Sequence, residues 1–275
     1  MPISDELSAY FQRIDYSGST DQTLETLSEL HRKHVQAIPF ENLNPLLKQP
    51  VPIDTDALHR KLVVNRRGGY CFEQNLLFRK VLQELGFQVT GLSAGVVWNL
   101  PPGEMTGRTH VLLRIDLDGE IYLADVGFGG QTLTGPLKLK TDIAQSTPHE
   151  PFRLVHADDD EFELQSQIQN AWRPLYRFNL GPQRLADYEV GNWYVAAHPQ
   201  SIFVNNLMVS RVAENRRHTM LNNNLVTHQL NGPSEKKSLT SVAEIRDCLT
   251  DLFGIKLPET DQLDSVLTRF VETKS

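Results

Sequence analysis

The hydrophobic period of this chain changes at Gly86, and that change narrows the architectures open to it. Before it, apolar residues return every three or four positions. Leu24, Leu27, Leu30, His31, Val35 and Ile38 form one stripe, which Pro39 ends. A second helix is expected over residues 56–64. A third starts near Cys71 with Phe72, Leu76, Leu77, Val81, Leu82 and Leu85, and Gly86 stands where a C′ glycine belongs. After Gly86 the pattern turns to short β-rich segments at 89–98, 109–117, 120–126, 152–155, 161–165 and 172–178. Such closely spaced strands predict an antiparallel sheet or small barrel. The last third is mixed. A linking helix is expected over 184–196 and strands over 207–212, 218–221 and 225–229. A polar turn is expected at 232–237 and helices over 242–253 and 261–271.

Charge and cysteine usage remove several function classes. A formal net charge of -7 argues against a general nucleic-acid binder or a polybasic membrane protein, and leaves room for a local basic pocket. No apolar segment approaches the roughly 20 residues that cross a bilayer. The N-terminus has no basic region followed by an apolar run. Two cysteines, Cys71 and Cys248, suit a reducing compartment, so the expected location is the cytoplasm. No CxxC, HExxH or EF-hand pattern is present, and no bound metal is expected.

The residues with chemistry begin at Arg66-Arg67-Gly68-Gly69-Tyr70-Cys71. A nucleophilic thiol needs an anion-favouring field, access and a base. The start of the third helix supplies free N–H groups and the positive dipole end. Arg66 and Arg67 would add charge, and Gly68 and Gly69 would let a substrate approach the backbone. The plain alternatives are a buried inert thiol and a solvated arginine pair. Cys248, within an apolar helical pattern, reads as core.

A base and its orienter come from one predicted hairpin. Asp118-Gly119 between two apolar segments is a two-residue turn signal. Leu117 then faces Glu120, and facing residues have numbers summing to 237. His110 faces Gly127, and Asp125 lies two positions away on the same side. Diagonal neighbours of this kind sit about 7–8 Å apart at their α-carbons, a gap that one hydrogen bond closes. A bulge in the hairpin would place them on opposite faces. Whether Cys71 meets His110 is a tertiary question that spacing leaves open.

With these residues in view, the chain resembles the arylamine N-acetyltransferase family. The likeness is carried by Arg67-Gly68-Gly69-Tyr70-Cys71 with Glu73 and Asn75, by Pro39-Phe40-Glu41-Asn42, and by Thr106-Gly107 before Thr109-His110. It is also carried by Asp125-Val126-Gly127-Phe128-Gly129 and by the stretch from Trp193-Tyr194 to Pro199, Ser201 and Phe203. The resemblance implies an α+β fold in three parts: a helical bundle over 1–88 bearing the nucleophile, an antiparallel β-barrel over 89–190 bearing His and Asp, and a linker helix with an α/β lid over 191–275. It implies a catalytic triad of Cys71, His110 and Asp125, acetyl-CoA as co-substrate with no bound cofactor, and arylamines, arylhydrazines or N-hydroxyarylamines as acceptors. Thr106, Gly107 and Gly129 are the expected coenzyme contacts. Phe128, Phe40, Val96 and Phe203 are the expected acceptor contacts. A monomer or homodimer is expected, with no nucleic-acid or membrane partner. A cysteine hydrolase, a transglutaminase-type enzyme or an amide synthase would use the same three residues, and a non-catalytic binding module stands outside enzymology.

Overall fold

The computed structural model describes residues 3–101, 103, 104, 106–157 and 160–272. Helix α1 (Asp5–Ile14) is capped by the Ser4 hydroxyl, which accepts from Leu7 N, and it buries Leu7, Tyr10, Phe11 and Ile14. Helix α2 (Leu24–Ala37) starts at a Thr23 cap and stops where Ile38 turns extended before Pro39. A short strand β1 (Phe40–Glu41) and helix α3 (Leu43–Leu46) follow. Helix α4 (Thr55–Leu58) runs into a π-helical turn, His59–Val64, so the helix expected over 56–64 is regular only in its first three residues. Helix α5 (Cys71–Glu84) ends at Leu85, and Gly86 takes φ +88° as expected of a C′ glycine.

The next strands are β2 (Gln88–Val96), β3 (Arg108–Leu117), β4 (Glu120–Ala124), β5 (Leu137–Lys138), β6 (Phe152–His156), β7 (Phe162–Ile168) and β8 (Ala171–Phe178). They form a seven-stranded antiparallel sheet in the order β5-β4-β3-β2-β8-β7-β6. Bridges Thr141–Leu154 and Gln145–Phe152 tie the chain after β5 to β6 and nearly close the barrel. Strand β3 is buried on both sides. Leu112 packs inside with Leu92, Leu123, Leu154, Leu164 and Phe178. Val111, Leu113, Ile115 and Leu117 join the helical core with Leu30, Leu77 and Val81. Each such side chain contributes about 1.5–3 kcal/mol on burial, so four in one row hold the barrel firmly on α5.

Helices α6 (Leu185–Ala197) and α7 (Ile202–Asn205) lead to a second sheet made of β9 (Met208–Ala213), β10 (Arg216–Leu221), β11 (Asn224–Gln229) and β12 (Ser234–Ser238). Its order is β1-β9-β10-β11-β12, and β1 joins through the pairs Phe40–Ser210 and Glu41–Val209. Residues 234–237 of the expected polar turn, with Ser238, are therefore a strand. All five are exposed, and only their pairing with β11 makes them one. Helix α8 (Val242–Asp247) passes into a second π-helical turn, Cys248–Leu252, and α9 (Gln262–Val271) closes the chain. Leu43 and Leu46 pack with Val209, Met220, Ile245, Leu249, Phe253 and Leu263, so residues 43–47 belong by packing, and 40–41 by strand pairing, to this C-terminal layer. Among the described residues, no helix is long and apolar enough to cross a membrane.

Candidate active site

Cys71 is the first residue of α5, after an extended Tyr70. Glu73 accepts from Tyr70 N at 3.2 Å and from Lys61 Nζ at 2.6 Å. Burial pushes the Glu73 carboxyl up, and Glu41 adds to that, against the pull of Lys61. The glycines before Cys71 serve close packing within the chain. A β-carbon on Gly69 would lie 2.7 Å from Glu73 Oε2, and one on Gly68 would lie 2.1 Å from Pro39 O. The expectation that they open the backbone to substrate is thereby corrected.

The arginine field is corrected as well. Arg67 is buried and paired with Glu41, Nη2 to Oε1 at 2.7 Å. Burial alone would raise Glu41. The charges of Arg67 and Lys61 and the Leu43 N–H outweigh it and hold Glu41 below its usual range. Arg66 is exposed. Arg67 therefore braces the turn, with its charge neutralised. Asn42 explains the end of its motif: it donates to Phe203 O and Asn206 O, both at 2.7 Å, and accepts from Met208 N at 2.8 Å.

The β3–β4 register runs without a shift from Leu117–Glu120 to Leu113–Ala124, the expected sum of 237. The ladder stops at Ala124, yet His110 and Asp125 share a face as predicted. His110 Nε2 lies 2.7 Å from Asp125 Oδ2, and both are buried. Cys71 closes the group: its sulfur is 3.7 Å from the carbonyl of Thr109, the residue before His110, and lies near enough to the His110 ring to shift its protonation. With Nε2 held by Asp125, Nδ1 is the nitrogen left to the sulfur. Burial would lower the His110 pKa. The Asp125 charge and hydrogen bond and the Cys71 sulfur together push it up to about 10. Asp125 is raised by burial but lowered more by His110, Asn75 and Gly127 N, so it stays below the ordinary range.

Two residues in this cluster had no role assigned from sequence. Asn75, four positions after Cys71 and so on the same helix face, donates to Asp125 Oδ1 at 3.0 Å and to Val111 O at 2.7 Å. It accepts from Val126 N at 3.0 Å. The four-residue spacing was the available signal. Tyr176 on β8 lies against the His110 ring, centroids 4.8 Å apart, close enough to Asp125 to feel its charge. Burial first, and then the carboxylate, hold its phenol protonated. Nothing near it in sequence announces this contact.

Aromatic rings surround the group. Phe128 meets His110 edge-on at 5.2 Å, and Tyr176 lies 5.3 Å from Phe128. Phe203 lies 6.0 Å from Phe40 and 5.7 Å from Tyr70. Gly129, at φ +82°, sets its α-carbon against the Phe40 ring, where a β-carbon would be 3.6 Å away. Val96 pairs with Tyr176 across β2 and β8. Phe40, Val96, Phe128 and Phe203 are all partly buried, Gly129 is buried, and Thr106 and Gly107 are exposed just before Thr109. Thr106 Oγ1 donates to Val96 O at 2.8 Å. Among the described residues there is no metal-ligating cluster of three or more.

Known proteins share this arrangement of chain. A family model described as N-acetyltransferase matches residues 23–262. The arylamine N-acetyltransferase of Mycobacterium tuberculosis is 42% identical over 271 residues, covering 97% of this chain and 95% of that protein. The Salmonella typhimurium arylamine N-acetyltransferase / N-hydroxyarylamine O-acetyltransferase is 39% identical over 250 residues, covering 90% and 88%. The structure of Mycobacterium marinum arylamine N-acetyltransferase in complex with CoA superposes with a TM-score of 0.92 at 41% identity, covering 96% of this chain and 99% of that one. Sequence match, shared fold and nearly full coverage on both sides lead to one conclusion: the chain belongs to the arylamine N-acetyltransferase family.

Proposed function

We propose that the enzyme moves an acetyl group from acetyl-CoA to an arylamine, arylhydrazine or N-hydroxyarylamine in two half-reactions, with Cys71 as nucleophile, His110 as proton carrier and Asp125 as its orienter. The observation that carries this is the single imidazole held by Asp125 at 2.7 Å, with the Cys71 sulfur 3.7 Å from the carbonyl of the preceding residue, Thr109. A ring that keeps its proton at neutral pH stabilises a neighbouring sulfur anion. In the first half-reaction the sulfur attacks the thioester carbonyl. First-turn N–H groups of α5 receive the developing oxyanion. The C–S bond to the coenzyme breaks, and His110 gives its proton to the departing thiolate. In the second, the amine nitrogen attacks acetyl-Cys71, His110 takes the nitrogen's proton, and Cys71 leaves as the anion.

Phe128 is the wall against which an aromatic acceptor stacks, with Phe40, Val96 and Phe203 around it. Thr106 and Gly107 at the rim and Gly129 behind it are the coenzyme contacts. We read residues 1–88 as the helical part, 89–190 as the barrel, and 191–275 as linker helix and lid, with 40–47 crossing into the lid. The three catalytic groups come from one chain, so a monomer suffices and a homodimer is compatible. Two unpaired thiols suit the cytoplasm.

Intact mass after mixing with acetyl-CoA tests the reading. One acetyl group on Cys71, discharged by an added arylamine, is the expected result. Absence of the adduct together with peptide or glutamine turnover would replace the transferase by a hydrolase or transglutaminase.

A further inference from the structure

Helix α2 carries two buried histidines one turn apart, His31 and His34, and the reaction above uses neither. Their hydrogen bonds are directional. Asp125 N donates to His31 Nε2 at 3.3 Å, so that nitrogen is a lone pair and the ring is neutral. Gln74 Nε2 lies 2.8 Å from Pro39 O and 3.2 Å from Gly69 O, which only accept. The amide orientation is thereby settled, and Gln74 Oε1 must accept from His34 Nε2, 2.7 Å away. His34 Nδ1 is then an acceptor, and Tyr10 OH donates to it at 2.8 Å. One polar chain runs Tyr10, His34, Gln74, and ends on the carbonyls of Gly69 and Pro39. Gly69 lies two residues before Cys71, and Pro39 directly precedes Phe40.

We propose that Gln74, aligned by His34 and Tyr10, and His31 are positioning residues for acetyl transfer, fixing from one helix both the turn that carries Cys71 and the backbone that carries Asp125. This rests on the triad reading above. The geometry favours it because α2 reaches each half of the triad from one neutral ring, His31 directly at Asp125 N and His34 through Gln74 of α5, and the halves come from different parts of the fold. Burial keeps both rings neutral, pushing His31 down to about 4 and His34 to about 3. A shift of about 1 Å in a reacting group costs about 100-fold in rate, so a small relaxation of either anchor reaches the chemistry.

The test is single-turnover acetylation of Cys71, followed by intact mass in the full-length Gln74→Met and His31→Phe variants, with folding checked by thermal melting. Acetylation about 10- to 100-fold slower in folded protein, with KM for acetyl-CoA within about threefold, is the expected result. Rates within twofold of the parent in both folded variants would overturn the proposal. Gln74→Glu decides the matter should Gln74→Met not fold. A buried carboxyl keeps a donor to these carbonyls only while protonated, so its acetylation rate falls with rising pH relative to the parent. A pH profile and rate matching the parent would overturn the role of Gln74. Cys71→Ser and His110→Ala run alongside: turnover retained there is the failure of the triad reading, whereas loss there with full rates in the Gln74 and His31 variants is the failure of positioning alone.

Discussion

Asn75 Nδ2 lies 3.0 Å from Asp125 Oδ1 and joins the helix that begins at Cys71 to the segment that follows β4. The same side chain closes on Val111 O and Val126 N. Asn75→Ala leaves three buried polar partners short of a bond. An unsatisfied buried group costs about 1–3 kcal/mol, and relaxation shares part of that, so a loss of about 2–4 kcal/mol is expected. Urea unfolding measures it, and a loss under 1 kcal/mol would mean that the interface does not need this tie.

Asp125→Asn keeps the shape and removes the charge that raises His110. Acetyl transfer should fall by roughly 1,000- to 10,000-fold, as when an orienting carboxylate is lost from a triad. Cys71 alkylation by iodoacetamide at pH 7 should slow in the same variant. Unchanged alkylation would separate the sulfur from the His110–Asp125 pair.

These two residues also show what was legible in advance. The Asp118-Gly119 turn set the register, and the register put His110 and Asp125 on one face. That inference needed only local geometry. The approach of Cys71 to His110 is tertiary and had no local sign. Tyr176 reaches Asp125 from β8, about fifty residues on, for the same reason. The strand at Ser234–Ser238 was hidden because both its faces are polar, so no alternation marks it. Arg67 was misread because its partner, Glu41, stands 26 positions earlier; from sequence alone a basic pair looks solvated.

The Arg67–Glu41 pair is buried, so the two partners are unequal tests. Arg67→Met leaves a buried carboxylate without its cation, which costs about 3–5 kcal/mol. Replacing both, as Arg67→Met with Glu41→Gln, should recover part of that loss. Thermal melting of the single and double variants checks the order, and equal melting of both would contradict it.

Phe128 stands edge-on to His110 at 5.2 Å. Phe128→Ala should raise KM for aromatic amines about tenfold or more, since a well-placed ring contact is worth about 0.5–1.5 kcal/mol beyond its burial. The first half-reaction with acetyl-CoA should change little. Equal losses in both half-reactions would make Phe128 a support for His110 in place of an acceptor wall.

Stability should peak near pH 6.5, where His31 and His34, joined by His149, His218 and His228, act against His110. His31 and His34 sit below the ordinary histidine value of 6.5, at about 4 and about 3, so the unfolded chain binds protons that the folded one refuses. Their contribution is complete above pH 6.5 and is lost as pH falls toward 4. His110 sits above that value, at about 10, so its contribution is complete below pH 6.5 and is lost as pH rises through 10. Melting temperature against pH should therefore fall on both sides. His34→Gln should flatten the acid limb and leave the alkaline limb in place, and His110→Gln should do the reverse. An acid limb unchanged in His34→Gln would show that His34 is not a group whose protonation unfolds the protein.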